Sequence, residues 1–109
     1  MNITISSDYS ETPGGRFRNK GDSSGEAFRE DLLRPKYLEA KKNNQDLIVD
    51  LDGGYGYSTS FLEEAFGGLV RDLKDPDIKK IIKFVSIEEP SLIDQVKKYI
   101  EDELRKIKK

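Results

Sequence analysis

Three consecutive hydroxyl side chains, those of Ser58, Thr59 and Ser60, lie between a short apolar run and a helical pattern. A strand that passes into a helix through such a turn presents unpaired backbone N–H groups, and a hydroxyl there can cap the helix or carry a phosphate. Phosphorylation would add about −1.5 to −2 charges beside the helix N-terminus, which stabilises the helix and alters any docked surface. Ser58, Thr59 and Ser60 are therefore the candidate phosphorylation sites. The alternative is that Ser60 caps the helix, since Ser60 and Glu63 have capping-box spacing, while the other two hydroxyls satisfy backbone groups of the turn.

Two carboxylates, Asp50 and Asp52, end the apolar run at a spacing that places both side chains on one face of a strand. With Gly53 they resemble the nucleophile motif of the magnesium-dependent haloacid-dehalogenase phosphatases, in which one acid attacks phosphorus and another binds magnesium. The further strand-end motifs of that family are missing from the sequence. A magnesium-dependent phosphatase that uses Asp50 and Asp52 is one hypothesis, and acceptance of backbone N–H groups at the turn is the alternative.

A third set of candidate residues is basic, because Arg16, Arg18 and Arg29 surround a glycine-rich stretch near the N-terminus. An arginine offers two parallel donors to a phosphate, so these three are the predicted anion-binding residues. The stretch is not a Walker loop, since the Gly-Lys-Ser/Thr ending is missing. A solvated charge cluster is the alternative. A small anion or nucleotide binding domain, with its ligand at the helix N-terminus near Ser60, is a further functional hypothesis.

The amino-acid composition limits the catalytic groups, metal sites and partners that the chain can have. The 109 residues include no His and no Cys, which removes the commonest general base, thiol nucleophiles, disulfides and nearly all zinc sites. A net charge of −2 favours neither nucleic acid nor an anionic membrane. No apolar run approaches the roughly 20 residues of a membrane span, and the N-terminus lacks a secretory signal. We expect one cytoplasmic domain, residues 1–109, with no metal, cofactor, nucleic acid or membrane partner; the pattern specifies no oligomeric state.

Hydrophobic spacing predicts the strands that must position these groups. Weak alternation indicates a short strand at residues 2–6, and the apolar runs at 47–51 and 81–87 indicate two more, the first of these covered on both faces. The polar, glycine-rich residues 7–24 are predicted to form a mobile loop with a brief strand at Arg16–Arg18. Strands that alternate with helices imply an α/β fold with right-handed crossovers.

Three helices complete the predicted order. The first should begin at Ser23 or Ser24, since Ser23 and Glu26 have capping-box spacing, and Pro35 should push Arg34 out of helical torsions and kink the helix before it ends near residue 44. A second helix is predicted at 61–73. A third opens at Pro90 and Ser91, and the basic residues from Arg105 to Lys109 complement its C-terminal dipole. Its predicted core stripe comprises Leu92, Val96, Tyr99, Ile100, Leu104 and Ile107.

Two glycines, Gly67 and Gly68, lie inside the second predicted helix, where each costs about 1 kcal/mol relative to alanine. Close approach of another backbone, from the protein's own sheet or from a partner, would offset that cost. Internal packing is favoured for at least one of them, and two in succession indicate a partner contact for the other. The predicted partner-binding residues are Tyr55, Tyr57, Phe61, Glu64, Gly67 and Gly68.

Two blocks of the sequence resemble the small bacterial STAS-like domains of unassigned function. One runs from Arg16 to Arg29 and includes Ser24-Gly25-Glu26; the other runs from Val49 to Leu69 and includes Asp50-Leu51-Asp52-Gly53 and Ser58-Thr59-Ser60. The resemblance covers most of the chain. It implies a small STAS-like α/β fold, with a mixed sheet of about four strands and helices mainly on one face.

The same resemblance implies a regulatory role. The STAS-like domains are similar to the sulfate-transporter and anti-sigma factor antagonist domains, in which a serine at the strand-to-helix turn is phosphorylated by an ATP-binding kinase that the modified domain then releases. It therefore implies a non-enzymatic interaction module that docks a protein partner, an ATP-binding kinase-like regulator, through residues 53–68. This sequence departs from the antagonist pattern at two positions, since Tyr57 replaces an acid and Phe61 replaces a small residue.

Overall fold

The structure, a computed structural model, describes residues 1–107 apart from the side chain of Lys20. In chain order its elements are β1 (Asn2–Thr4), α1 (Ile5–Asp8), a 3-10 turn (Arg18–Lys20), α2 (Gly25–Phe28), a π turn (Arg29–Leu33), α3 (Arg34–Lys42), β2 (Leu47–Asp50), α4 (Thr59–Leu62), a second π turn (Glu63–Gly67), α5 (Gly68–Leu73), α6 (Ile78–Ile81), β3 (Ile82–Val85) and α7 (Ser91–Ile107). The three strands form one parallel sheet in the order β1-β2-β3. The α/β class is confirmed, whereas the predicted mixed pairing and fourth strand are absent from residues 1–107.

The helices cover one face of the sheet. Ile3, Val49 and Phe84 lie side by side across the three strands and pack into the core. On the opposite face Ile48, 37% exposed, lies beside the exposed Lys83. In a sheet of this order both right-handed crossovers fall on the same side, which leaves the other face open. The prediction that the second strand is covered on both faces is therefore wrong.

The first long helix begins at one of the two predicted positions. Ser24 is its N-cap, and the Ser24 hydroxyl oxygen accepts the backbone N–H of Ala27 at 3.1 Å. The helix then runs through the first π turn into α3, with Pro35 near the start of α3. Arg34 keeps helical torsions (φ −62°, ψ −48°), so the predicted departure at this residue is wrong. The wider π turn lies where the proline ring would otherwise clash with the carbonyl four residues earlier.

The glycine-rich N-terminal segment folds back on itself before α2. The backbone N–H of Gly14 donates to the carbonyl of Ser23, and that of Gly25 donates to the carbonyl of Gly15, both at 3.0 Å. The brief strand predicted at Arg16–Arg18 is not formed, and the 3-10 turn that starts at Arg18 takes its place. These bonds close the segment on itself and join it to the first residue of α2; the mobility of residues 7–24 stays a prediction.

Two strands are shorter than the apolar patterns predict. β1 ends at Thr4, where α1 begins, and β3 ends at Val85, two residues before Ile87. β2 is confirmed. No helix within the described residues has both the length and the apolar character needed to cross a membrane.

The last helix, α7, is confirmed with most of its stripe. Its buried apolar residues are Leu92, Val96, Ile100 and Leu104. Tyr99 packs against the same core while partly buried, and Ile107 is 39% exposed. Lys108 and Lys109, predicted to complement the dipole of this helix, lie outside the described residues.

Candidate docking surface

The carboxyl ends of β2 and β3 meet at one edge of the sheet, and the loops that follow them, residues 51–58 and 86–90, are joined by hydrogen bonds. We call this surface the carboxyl edge. The carboxylate of Asp52 accepts the backbone N–H groups of Ile87 at 2.8 Å and Glu88 at 2.9 Å. In return, the Oε1 atom of Glu88 accepts the backbone N–H of Gly53 at 2.8 Å. Two carboxylates therefore hold the two loops in a fixed relation.

Asp50 also acts within the turn. Its Oδ1 atom accepts the backbone N–H of Asp52 at 2.9 Å. Both acids of the predicted phosphatase motif thus accept backbone N–H groups, as the alternative interpretation predicts. The described residues contain no group of three His, Cys, Asp or Glu side chains arranged to hold a metal ion. The magnesium-dependent phosphatase stays a hypothesis.

Tyr57 is a structural hydrogen-bond donor at the same surface. Its hydroxyl donates to the backbone carbonyl of Leu51 at 2.8 Å. Burial, followed by the negative charges of Asp50, Asp52 and Glu88, raises the pKa of Tyr57 to about 12. The phenol therefore stays neutral at physiological pH and keeps donating; burial contributes most to the higher pKa, and the nearby carboxylates add to it.

The three hydroxyls lie where β2's loop enters α4, but a different serine caps the helix. Ser58 is extended (φ −78°, ψ 151°), and its hydroxyl oxygen accepts the backbone N–H of Phe61 at 3.1 Å. Ser60 lies inside the helix, so its predicted capping role is wrong. Glu63, the other member of that predicted box, instead pairs with arginines. Ser58 and Thr59 are exposed and Ser60 is half-buried, so the bend lies at the surface.

Two apolar side chains project from the carboxyl edge. Tyr55 is 85% exposed and Ile87 is 81% exposed, the highest values among the exposed large hydrophobic residues of the described chain. The backbone N–H of Tyr55 donates to the carbonyl of Glu11 at 2.9 Å, and Gly56 beside it has φ 116°, a torsion that favours glycine. Sequence reasoning missed Ile87, because its apolar character continues the pattern of β3.

A cleft of about 240 Å³ opens between the two loops. Its charged lining residues, Asp52, Glu88 and Glu89, are all acidic, and Tyr55 and Tyr57 also line it. Aromatic faces beside carboxylates form an environment that suits a cation.

The other four predicted partner-binding residues lie inside the domain. Phe61 is fully buried, Glu64 is 8% exposed, and Gly67 and Gly68 are buried as well. Their surfaces are covered by this chain, so a docked protein could not reach them without opening the domain. The docking prediction is therefore left with Tyr55 and Tyr57.

The two glycines make room for charged side chains of the protein itself. A Cβ atom at Gly68 would meet the guanidinium of Arg29, and one at Gly67 would lie 2.6 Å from a carboxylate oxygen of Glu63. The Gly68 backbone N–H donates to the carbonyls of Glu63 and Ala65, and within this second π turn the Glu64 carbonyl accepts Nη1 of Arg29 at 2.8 Å instead. Internal packing thus accounts for both glycines.

Arg29 is the centre of a buried ion-pair network. It is 6% exposed, it pairs with the carboxylate of Glu64, and its Nε atom lies 2.8 Å from a carboxylate oxygen of Asp72. A buried guanidinium with these partners ties the first long helix to the second.

The other two predicted anion-binding arginines also face carboxylates of the chain. Arg16 pairs with Glu63 and, at 3.2 Å, with Glu64. Arg18 pairs with Glu30 at 3.0 Å and Asp31 at 2.8 Å. All three arginines therefore pair with carboxylates of the chain, and Arg16 and Arg29 share Glu64. The alternative of a solvated charge cluster describes Arg16 and Arg18 but not Arg29, which is buried.

Comparison with known proteins agrees with this architecture. A family model described as a STAS-like domain of unknown function matches residues 24–92, more than half of the chain. The matched range begins at the cap of α2, contains both loops of the carboxyl edge, and ends in the first turn of α7. No curated protein and no solved structure matches the chain.

Proposed function

Because the chain belongs to the family of STAS-like domains of unknown function, we propose that it is a non-enzymatic regulatory module that docks a protein partner through the carboxyl edge. The observation that carries the proposal is the exposure of Tyr55 and Ile87, 85% and 81%, on two loops that hydrogen bonds hold together. Large apolar side chains on a rigid support lose little conformational freedom when a partner covers them.

The resemblance to anti-sigma factor antagonists supports a kinase-like partner and a phosphorylation switch at the same surface. Ser58 and Thr59 are exposed beside the loop that carries Tyr55. A phosphate on either hydroxyl would lie at the N-terminus of α4, where helix N–H groups favour negative charge, and would change the potential of the carboxyl edge. Ser60, half-buried, is the least accessible of the three.

A capture experiment with matched variants tests the docking surface. The Tyr55→Ala, Ile87→Ala double variant removes both apolar tips, whereas Leu38→Ala removes the next most exposed large hydrophobic residue, 48% exposed, on α3. Each bait is used in a lysate of the source organism, and recovered proteins are quantified by mass spectrometry. We expect the double variant to lose a specific partner by about tenfold, as interface anchors do, and Leu38→Ala to retain it.

Unfolding curves of the three baits provide the folding control, and equal midpoints are required. Partner recovery that is unchanged in the double variant, or equally lost in Leu38→Ala, would contradict the proposed surface.

A further inference from the structure

Three segments of the sequence lack Lys and Arg. The segments 1–15, 43–70 and 84–96 contain acidic residues but no Lys or Arg. Each of these segments includes the carboxyl end of one strand of the sheet. Four of their acids, Asp50, Asp52, Glu88 and Glu89, lie at or just after the carboxyl ends of β2 and β3, whereas Asp46 lies before β2.

Basic residues gather toward the opposite ends of the strands. Lys41 and Lys42 end α3 just before β2, and Lys79 and Lys80 lie in α6 just before β3. Helix dipoles account for part of this separation, since acids are favoured at helix N-termini and bases at C-termini. That effect fades within one turn and does not reach Glu11, which lies outside any helix of the described chain.

The cleft of the carboxyl edge combines this negative charge with aromatic walls. The acidic residues Glu88 and Glu89 line it together with the aromatic residues Tyr55 and Tyr57. A guanidinium is planar, binds carboxylates through parallel donors and stacks on aromatic rings, so it fits this combination better than an ammonium does. The exposed side chains of Tyr55 and Ile87 would pack on apolar groups beside such a cation.

We propose that the carboxyl edge docks an arginine-bearing segment of its protein partner. The guanidinium enters the cleft against Glu88 and Glu89, and apolar side chains that flank the arginine cover Tyr55 and Ile87. The inference rests on the proposed function, because it names the chemistry of the partner at that same surface.

Amide NMR with a model peptide tests this chemistry. The probe is the peptide acetyl-Gly-Leu-Arg-Leu-Gly-amide, and its control replaces arginine with citrulline, which keeps the shape and loses the charge. We expect the arginine peptide to bind with a dissociation constant on the order of 1 mM and to shift the amides of Gly54, Ile87 and Glu88. The citrulline peptide should bind at least about fivefold more weakly. Binding should also weaken as salt rises from about 50 to about 500 mM.

Charge variants test whether the carboxylates of the cleft bind the arginine peptide. Glu88→Gln with Glu89→Gln removes two carboxylates from the cleft, while the amide oxygen that Glu88→Gln introduces can still accept the Gly53 N–H. Glu39→Gln with Asp46→Asn removes the same amount of charge from exposed positions outside the cleft. We expect the first pair to weaken arginine-peptide binding by at least about fivefold and the second to leave it within about twofold.

Three results would overturn the inference: no shifts at millimolar peptide, equal binding of the citrulline peptide, or unchanged binding by the cleft variant. None of these results would contradict the proposed docking surface if Tyr55→Ala with Ile87→Ala still abolishes partner capture. Conversely, peptide binding at the cleft with unchanged partner capture would contradict the proposed function and not the chemistry of the cleft.

Discussion

The carboxylate of Asp52 accepts the backbone N–H of Ile87 at 2.8 Å, across the gap between the loops that follow β2 and β3. The most exposed isoleucine of the described chain is thereby anchored, through its backbone, to the loop that carries the most exposed tyrosine. If the carboxyl edge docks a partner as proposed, this link would lower the conformational entropy lost on docking below that of two independent loops.

Replacement of Asp52 should loosen this link. Asp52→Asn keeps one acceptor oxygen but turns an N–H donor toward a backbone N–H, so we expect a loss of about 1–2 kcal/mol in the free energy of unfolding. Amide hydrogen exchange at Ile87 and Glu88 should rise by about tenfold. Asp50→Asn is the control, because the single oxygen that accepts the Asp52 N–H survives in Asn. Equal losses of stability and equal exchange rates in the two variants would contradict the role of Asp52 in linking the loops.

The packing of Gly68 predicts a matched pair of alanine variants. At Gly68 an added Cβ displaces the buried guanidinium of Arg29, whose Cδ and Cζ atoms would lie 3.2 Å away, so Gly68→Ala should cost about 1–3 kcal/mol despite alanine's helix propensity. At Gly14 nothing lies within 4 Å of the added Cβ, so Gly14→Ala should change stability by less than about 0.5 kcal/mol. Urea unfolding measures both; a neutral Gly68→Ala would show that the network around Arg29 yields easily.

The N-cap of α4 predicts different effects for substitutions at two neighbouring serines. Ser58→Ala removes the oxygen that accepts the Phe61 N–H, so it should destabilise the domain by about 1 kcal/mol. Ser60→Ala lies inside the helix and should be neutral or slightly stabilising. Thermal or urea unfolding of the two variants distinguishes these expectations, and the reverse order of stability would place the helix start two residues later.

Acid should weaken the domain through Glu63. Hydrogen bonds from Arg71, followed by those from Arg16, lower the pKa of Glu63 from 4.5 to about 2. A pKa that is lower in the folded state stabilises the fold above the unfolded value, and this contribution disappears as pH falls from 4.5 toward 2. After allowance for solvent screening it amounts to about 1–2 kcal/mol.

The check compares wild type with Glu63→Gln across pH. The difference in their unfolding free energies should be largest near neutral pH and shrink through the acid range, because the wild-type carboxylate becomes protonated there. A difference that stays constant from about pH 6 to about pH 2 would mean that Glu63 does not titrate as its ion pairs predict.

Periodic patterns predicted the elements of the fold well, because they report which face of an element is buried. The apolar run that became β2 and the stripe of α7 needed no information from distant residues. The capping residue was predicted wrongly, because the local pattern favours Ser60: Glu63 three residues later completes a capping box, whereas Phe61 follows Ser58 at the same spacing. The structure selects the earlier serine, and Glu63 is drawn to Arg71 and Arg16.

The features of the site that the sequence did not predict depend on contacts between residues that are distant in the chain. The sequence shows that Gly68 lies inside a helix and therefore costs stability. It does not show that the space beside Gly68 is filled by the side chain of Arg29, which is distant in the sequence. Likewise, Ile87 continues an apolar run, and only the end of β3 at Val85 places it in solvent.

Site-specific photocrosslinking tests the docking surface most directly. A photoreactive phenylalanine analogue is placed at Tyr55, at Ile87 or, as the control, at Leu38, and irradiated in cells of the source organism. We predict crosslinks to the same protein from positions 55 and 87 and none from position 38. Crosslinks to a partner from position 38 alone would contradict the assignment of the carboxyl edge as the docking surface.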